Sequence, residues 1–158
     1  LRIVQEIIPR NVSCVYVRQA EALGLGHAVL CARPVVGEHP FAIVLADDLI
    51  DAKTAVLAQM AAVFARRGRS VIAVQTPRIF HYLENQTPGA GGEIQLTDAI
   101  AALLADEDVF AYEFEGVRYD CGSKLDYLKA NLAFAMKHPE IGAEFRSYLQ
   151  TMGCRVPD

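Results

Sequence analysis

At 158 residues, 53% hydrophobic and 22% charged, the chain has the length of one compact domain and enough apolar material for a sizeable core, which argues against extensive disorder. A net charge of −4 offers no basic stripe, so a nucleic-acid polymer is not expected as a partner. Apolar runs such as "FAIVLA" fall far short of the roughly 20 residues a spanning helix needs, and no secretory signal is visible. A soluble, cytoplasmic protein without membrane contact is the expectation.

In chain order, "VSCVYV" (12–17) and "FAIVLA" (41–46) are apolar at nearly every position, as strands buried on both faces are. Val56, Leu57, Met60, Val63 and Phe64 recur at helical spacing, with Asp51 placed to cap the start and "RRGR" closing the end. "SVIAVQ" (70–75) reads as a third strand, and Thr76-Pro77 as the cap and first turn of a helix over "RIFHYLEN". Ile100, Leu103 and Leu104 mark another helix. "VFAYEF" (109–114) alternates and reads as a strand near an edge. Leu125, Leu128 and Leu132 mark a helix behind Ser123, whose cap Asp126 supports. The tail (139–158) is expected to be helical, with Phe145, Tyr148 and Leu149 either packing on the core or meeting another subunit. Alternating strands and helices indicate an α/β domain with a largely parallel sheet, in which ligands bind beyond strand ends.

Three strand ends carry candidate chemistry. In "RQAEALGLGHAVL" (18–30), Gly24 and Gly26 would let backbone approach a ligand closely, and Gln19 carries both amide donors and an acceptor, the mixture a uracil edge requires. The full G-x-G-x-x-G is absent because position 29 is Val29, and on spacing alone a plain turn opening a helix is the simpler reading. In "ADDLID", Asp47 or Asp48 is either a solvated turn residue or a Mg²⁺ ligand that leaves coordination sites to water and phosphate. Asp120 in "RYDCGS" is the candidate second carboxylate. Cys121, with no histidine or lysine placed to activate it, reads as a small packed residue rather than a nucleophile. "GAGGEIQLTDAI" (89–100) puts Glu93, Gln95, Thr97 and Asp98 at a helix entrance, where they suit either sugar hydroxyls or ordinary capping. The four histidines have no metal-ligand spacing, and Cys14, Cys31, Cys121 and Cys154, without C-x-x-C pairing, read as reduced thiols.

Taken together and in order, "RQAEALGLGHAVLCA", "FAIVLADDLID", "GGEIQLTDAI" and "RYDCGSKLDYLKAN" closely resemble the bacterial UTP:glucose-1-phosphate uridylyltransferases, a family of sugar-1-phosphate nucleotidyltransferases, over nearly the whole chain. The resemblance implies a Rossmann-like nucleotidyltransferase domain with a mixed, largely parallel sheet flanked by helices. It implies attack of glucose 1-phosphate on the α-phosphorus of UTP, giving UDP-glucose and pyrophosphate, with Mg²⁺ as cofactor and a homo-oligomeric assembly. Carried over by motif, Gln19 and Gly24 would contact the uracil end, Asp47 and Asp120 would act in catalysis by holding the metal, and Glu93 would lie near the sugar. A relative using dTTP or another sugar 1-phosphate is the near alternative.

The family pattern also has a first strand, a glycine-rich G-x-G-T-R loop with a downstream lysine, and a second lysine in a Glu-Lys-Pro motif. None of these is present, and Lys53, Lys124, Lys129 and Lys137 lack that context. At Gln75-Thr76, "SVIAVQ" runs directly into "TPRIF" where family members carry an intervening block. The expectation is one partial nucleotidyltransferase domain over 1–158, lacking the glycine-rich loop and a central segment near 75/76. A chain truly without those elements should be inactive, which leaves a non-catalytic nucleotide-sugar-binding or assembly module as the alternative from another class.

Overall fold

The computed structural model describes residues 11–72 and 74–154. Ala73, inside the expected strand over 70–75, and the last four residues of the expected tail helix lie outside the described residues. In chain order the elements are α1 (Gly24–Cys31), α2 (Arg33–Val36), β1 (Phe41–Ala42), β2 (Asp48–Asp51), α3 (Val56–Arg67), β3 (Val74–Gln75), α4 (Ile79–Asn85), a 3-10 turn (Ala90–Gly92), α5 (Leu96–Leu103), β4 (Val117–Asp120), α6 (Lys124–Lys137) and α7 (Gly142–Thr151). They fall into two compact units, one made of Leu1–Ile43 with Phe64–Ala111, the other of Val44–Val63 with Tyr112–Asp158.

The first unit is built around α1, α4 and α5. Ile79, Phe80 and Leu83 give α4 one apolar face, Ala99 and Leu103 do the same for α5 at a four-residue step, and Val29 supplies the facing side of α1. All six are buried, and Phe41 from β1 stacks on Phe80 with ring centroids 5.0 Å apart. β1 pairs antiparallel with β3, matching Phe41 to Gln75. Beside this core lies a buried polar network. The Glu107 side chain is 2% exposed. Its Oε1 accepts from Ser70 Oγ (3.3 Å) and Thr76 Oγ1 (3.1 Å), and its Oε2 accepts from Arg78 (3.2 Å). Burial of the charge is tolerated because both carboxylate oxygens are hydrogen-bonded.

The second unit pairs β2 antiparallel with β4 and lays α6 against β4, with Tyr119 meeting Phe134 edge to face. α7 folds back on α6, and Gly142 lies so close to the Met136 carbonyl that a Cβ would stand 2.6 Å from it. Gln59 on α3 pins the 112–115 stretch. Its Nε2 donates to the Glu115 carbonyl, and its Oε1 accepts from the Glu115 amide and the Tyr112 hydroxyl.

The α/β class stands; the helices over 56–67, 96–103 and 124–137 lie where apolar periodicity places them, and those over 79–85 and 142–151 lie within the expected helical stretches. The sheet differs from expectation. Both named strand pairs are antiparallel, and among the described residues parallel pairing is confined to the Val71–Phe110 bridge. Residues 12–17 form no strand, and Val15 and Tyr16 are 66% and 91% exposed. An apolar β-branched run registers what a segment does between two neighbours, and no described strand lies alongside this one. Of 41–46 only the first two residues are strand, and of 109–114 only Phe110 is bridged.

Two caps also fall elsewhere. Asp51 ends β2 and its carboxylate accepts from Lys137, so α3 starts five residues later without it. Thr76 gives its hydroxyl to Glu107, and α4 begins at Ile79 behind Arg78. At the other end of α3, Gly68 (φ 62) stops the helix by donating its N–H to the Phe64 carbonyl.

Candidate functional site

The first unit brings Gln19, Gly24 and Glu93 together. The entrance of α1 docks on the segment before α5 through reciprocal backbone bonds: Ile94 N–H donates to the Leu23 carbonyl at 2.8 Å, and Gly26 N–H donates to the Ile94 carbonyl at 2.9 Å. Close approach requires the glycines. Gly24 has φ +89, and a Cβ there would stand 2.8 Å from Glu93 Cβ; a Cβ at Gly26 would stand 2.4 Å from the Ile94 oxygen. The two glycines thus serve a turn, and that turn carries Gln19 with it, since Gln19 Nε2 donates to the Gly24 carbonyl at 3.1 Å. Glu93 Oε2 accepts from Gln95 Nε2 at 2.9 Å. Gln95 occupies the N-cap position of α5 without a side-chain cap bond, and Asp98 lies in the first turn.

The Gln19 amide nitrogen already has two partners within the chain. Its second Nε2 hydrogen faces His27 Nδ1, 2.9 Å away. Both donors are therefore spent within the chain, and Oε1 is what remains for a ligand. His27, read from sequence as structural, is the residue that reasoning overlooked. Its only sequence signal is the four-residue step to Cys31, whose Sγ lies 3.8 Å from the other ring nitrogen.

The second unit brings Asp47 and Asp120 together, and strand register does it. Antiparallel pairing sets Asp48 opposite Asp120, and one step beyond the ladder Cys121 N–H donates to the Asp47 carbonyl at 2.7 Å. Oxygens of the two carboxylates converge near Gly122: a Cβ built there would lie 3.1 Å from Asp120 Oδ1 and 3.4 Å from Asp47 Oδ2. Gly122 N–H donates to Asp120 Oδ1 at 3.1 Å. Like charges set directly across a ladder repel, and Arg118 offsets part of this by bonding Asp48 Oδ1 at 2.6 Å. That hydrogen bond, then the Asp48 charge, raises the Arg118 guanidinium above its ordinary value, with smaller contributions from Asp120 and Asp47. Among the described residues Asp47 and Asp120 make no direct ion pair, and the cation whose charge reaches both is Arg118, bonded to Asp48.

Among the described residues no group of three or more His, Cys, Asp or Glu side chains could hold a metal by itself. Two hard carboxylate oxygens suit a Mg²⁺ whose other positions are filled by water and phosphate. Cys14, Cys31, Cys121 and Cys154 are free thiols, with Cys121 half-buried. A shallow cavity of about 300 Å³, lined by His81, Asn85, Gln86, Thr87 and Asp98 among others, includes none of the five predicted site residues. No helix among the described residues is long and apolar enough to cross a membrane.

No family model matches the chain. It is similar to the UTP–glucose-1-phosphate uridylyltransferase of Staphylococcus epidermidis, 34% identical over 87% of this chain, and to that of Bacillus subtilis, 36% identical over 85%. The chain spans 65% and 63% of those relatives' lengths. The first alignment runs over 186 residues, more than the 158 present here, so relatives carry internal residues with no counterpart in this chain. Among solved structures, a UDP-glucose pyrophosphorylase from Acinetobacter baumannii superposes with a TM-score of 0.87 at 31% identity, covering 96% of this chain and 70% of the other. A UTP-bound structure from Acinetobacter baumannii gives 0.86 at 32% identity, covering 94% and 69%. On sequence and on structure alike, the chain belongs to the UTP–glucose-1-phosphate uridylyltransferase family, the UDP-glucose pyrophosphorylases.

Proposed function

We propose that this chain serves uridylyl transfer: glucose 1-phosphate attacks the α-phosphorus of UTP in line, and pyrophosphate leaves as UDP-glucose forms. The observation that carries the reading is the convergence of Asp47 and Asp120 beside Gly122. Two carboxylates that make no direct ion pair among the described residues would form a partial coordination shell, of the kind completed by a nucleotide's phosphates. When bound there, Mg²⁺ would neutralise charge on the phosphates as the bond to phosphorus is exchanged. Asp47 and Asp120 would hold it, Gln19 and Gly24 would receive the uracil, and Glu93 would face the sugar. No side chain needs to act as nucleophile in a direct displacement, which agrees with Cys121 having no activating base.

The printed descriptions of the relatives support the nucleotide: one solved relative is UTP-bound and another is complexed with UDP-glucose. A cytoplasmic, homo-oligomeric enzyme without membrane or nucleic-acid contact completes the proposal. Calorimetry with UTP, dTTP and UDP-glucose, each with and without Mg²⁺, tests it. UTP binding strengthened by Mg²⁺ and stronger than dTTP binding is expected; equal affinity for dTTP would defeat the uridylyl assignment, and tight UDP-glucose binding without turnover would favour a non-catalytic module.

A further inference from the structure

We infer that His27 is a positioning residue that holds the Gln19 amide with its oxygen outward, so that the site takes a nucleobase with a ring N–H donor and rejects cytosine. The inference rests on the uridine reading above and goes beyond it in naming His27 as the second group, beside the Gly24 carbonyl, that holds the polarity of the base contact. The partners of a primary amide decide which way it faces. Gln19 Nε2 lies 3.1 Å from the Gly24 carbonyl, an oxygen that can only accept, and this fixes nitrogen rather than oxygen on that side. The same nitrogen lies 2.9 Å from His27 Nδ1. An NH₂ group can only donate, so Nδ1 must accept, and the neutral ring carries its proton on Nε2, the atom 3.8 Å from Cys31 Sγ.

With both amide hydrogens committed, rotation of the Gln19 amide would break two hydrogen bonds and turn its oxygen toward two acceptors. Among the described residues nothing donates to Oε1. That oxygen matches the N3–H of uracil, whereas cytosine presents an acceptor at N3 and would leave two lone pairs facing each other. Losing the His27 acceptor frees one amide hydrogen and loosens the choice.

The test uses the full chain and two variants. His27→Leu removes the acceptor, and His27→Asn keeps a short acceptor near the position of Nδ1. In the ligand-free chain, ¹⁵N NMR should find Nε2 protonated and Nδ1 bare in His27, and should find the Gln19 side-chain amide protons protected from exchange in the parent but not in His27→Leu. UTP and CTP affinities should then show the preference for UTP falling roughly ten-fold in His27→Leu, the scale of one well-placed hydrogen bond, and returning in His27→Asn. A proton on Nδ1, or a UTP preference unchanged in a folded His27→Leu, would overturn the role of His27. If the tautomer is as stated but neither nucleotide binds the parent chain, the uridine reading itself fails and the selectivity falls with it.

Discussion

At the scale of single residues, Asp47 and Asp120 are separated by a long stretch of sequence and meet because β2 and β4 pair in one register. A carboxylate that makes no direct ion pair contributes little to stability, so Asp47→Ala and Asp120→Ala should each leave the thermal unfolding transition in place. In an intact enzyme each should lower uridylyl transfer on the order of a hundred-fold, as loss of a group stabilising transition-state charge does. Near-normal turnover in either variant would remove that residue from the metal site. Gly24→Ala should behave oppositely. It places a Cβ 2.8 Å from Glu93 Cβ at φ +89, and a cost of about 1–2 kcal/mol is expected from the backbone alone, visible as a lower midpoint in denaturant; an unchanged midpoint would show that the turn can relax. The motifs of the sequence brought forward all five residues proposed for the site. The pairing of Gln19 with His27 was not legible, because it depends on which amide atom faces the Gly24 carbonyl, a matter of three-dimensional orientation that no spacing encodes.

At the scale of elements, α4 and the Glu107 network hold the first unit together. Glu107→Ala would leave Ser70, Thr76 and Arg78 without their common acceptor. A loss of about 2 kcal/mol is expected, the usual consequence of stranding buried polar groups, measurable by chemical denaturation. A variant as stable as the parent would mean that water takes over as partner. The helices were legible because their periodicity is written in their own residues: Ile79, Phe80 and Leu83 declare one face wherever they pack. The strands were not. "VSCVYV" has strand composition yet stands exposed, while "DLID" and "VRYD" have ordinary composition and pair. A strand is completed by hydrogen bonds to a neighbour, and the neighbour's register is not in the strand's own sequence. Asp51 shows the same limit, since a capping position and an ion-pair position look alike until the fold brings Lys137 to it.

At the scale of the whole molecule, family membership followed from four motifs in order, each weak alone. Strand pairing was less legible: where alternating strands and helices suggested a mixed, largely parallel sheet, the described residues make two antiparallel pairs and one parallel bridge. Here the two units pair β1 with β3 and β2 with β4 separately. The central claim is that this chain supports transfer of a uridylyl group with Asp47 and Asp120 holding Mg²⁺. The most direct measurement incubates this chain, joined to the glycine-rich loop and central segment that its relatives carry, with UTP, glucose 1-phosphate and Mg²⁺ and quantifies UDP-glucose and pyrophosphate together, with chelator and with Asp120→Ala as controls. Equal amounts of both products, abolished by chelator and sharply reduced by the substitution, are the expected result. Absence of UDP-glucose from that joined and folded protein, with all its substrates and Mg²⁺ present, would contradict it.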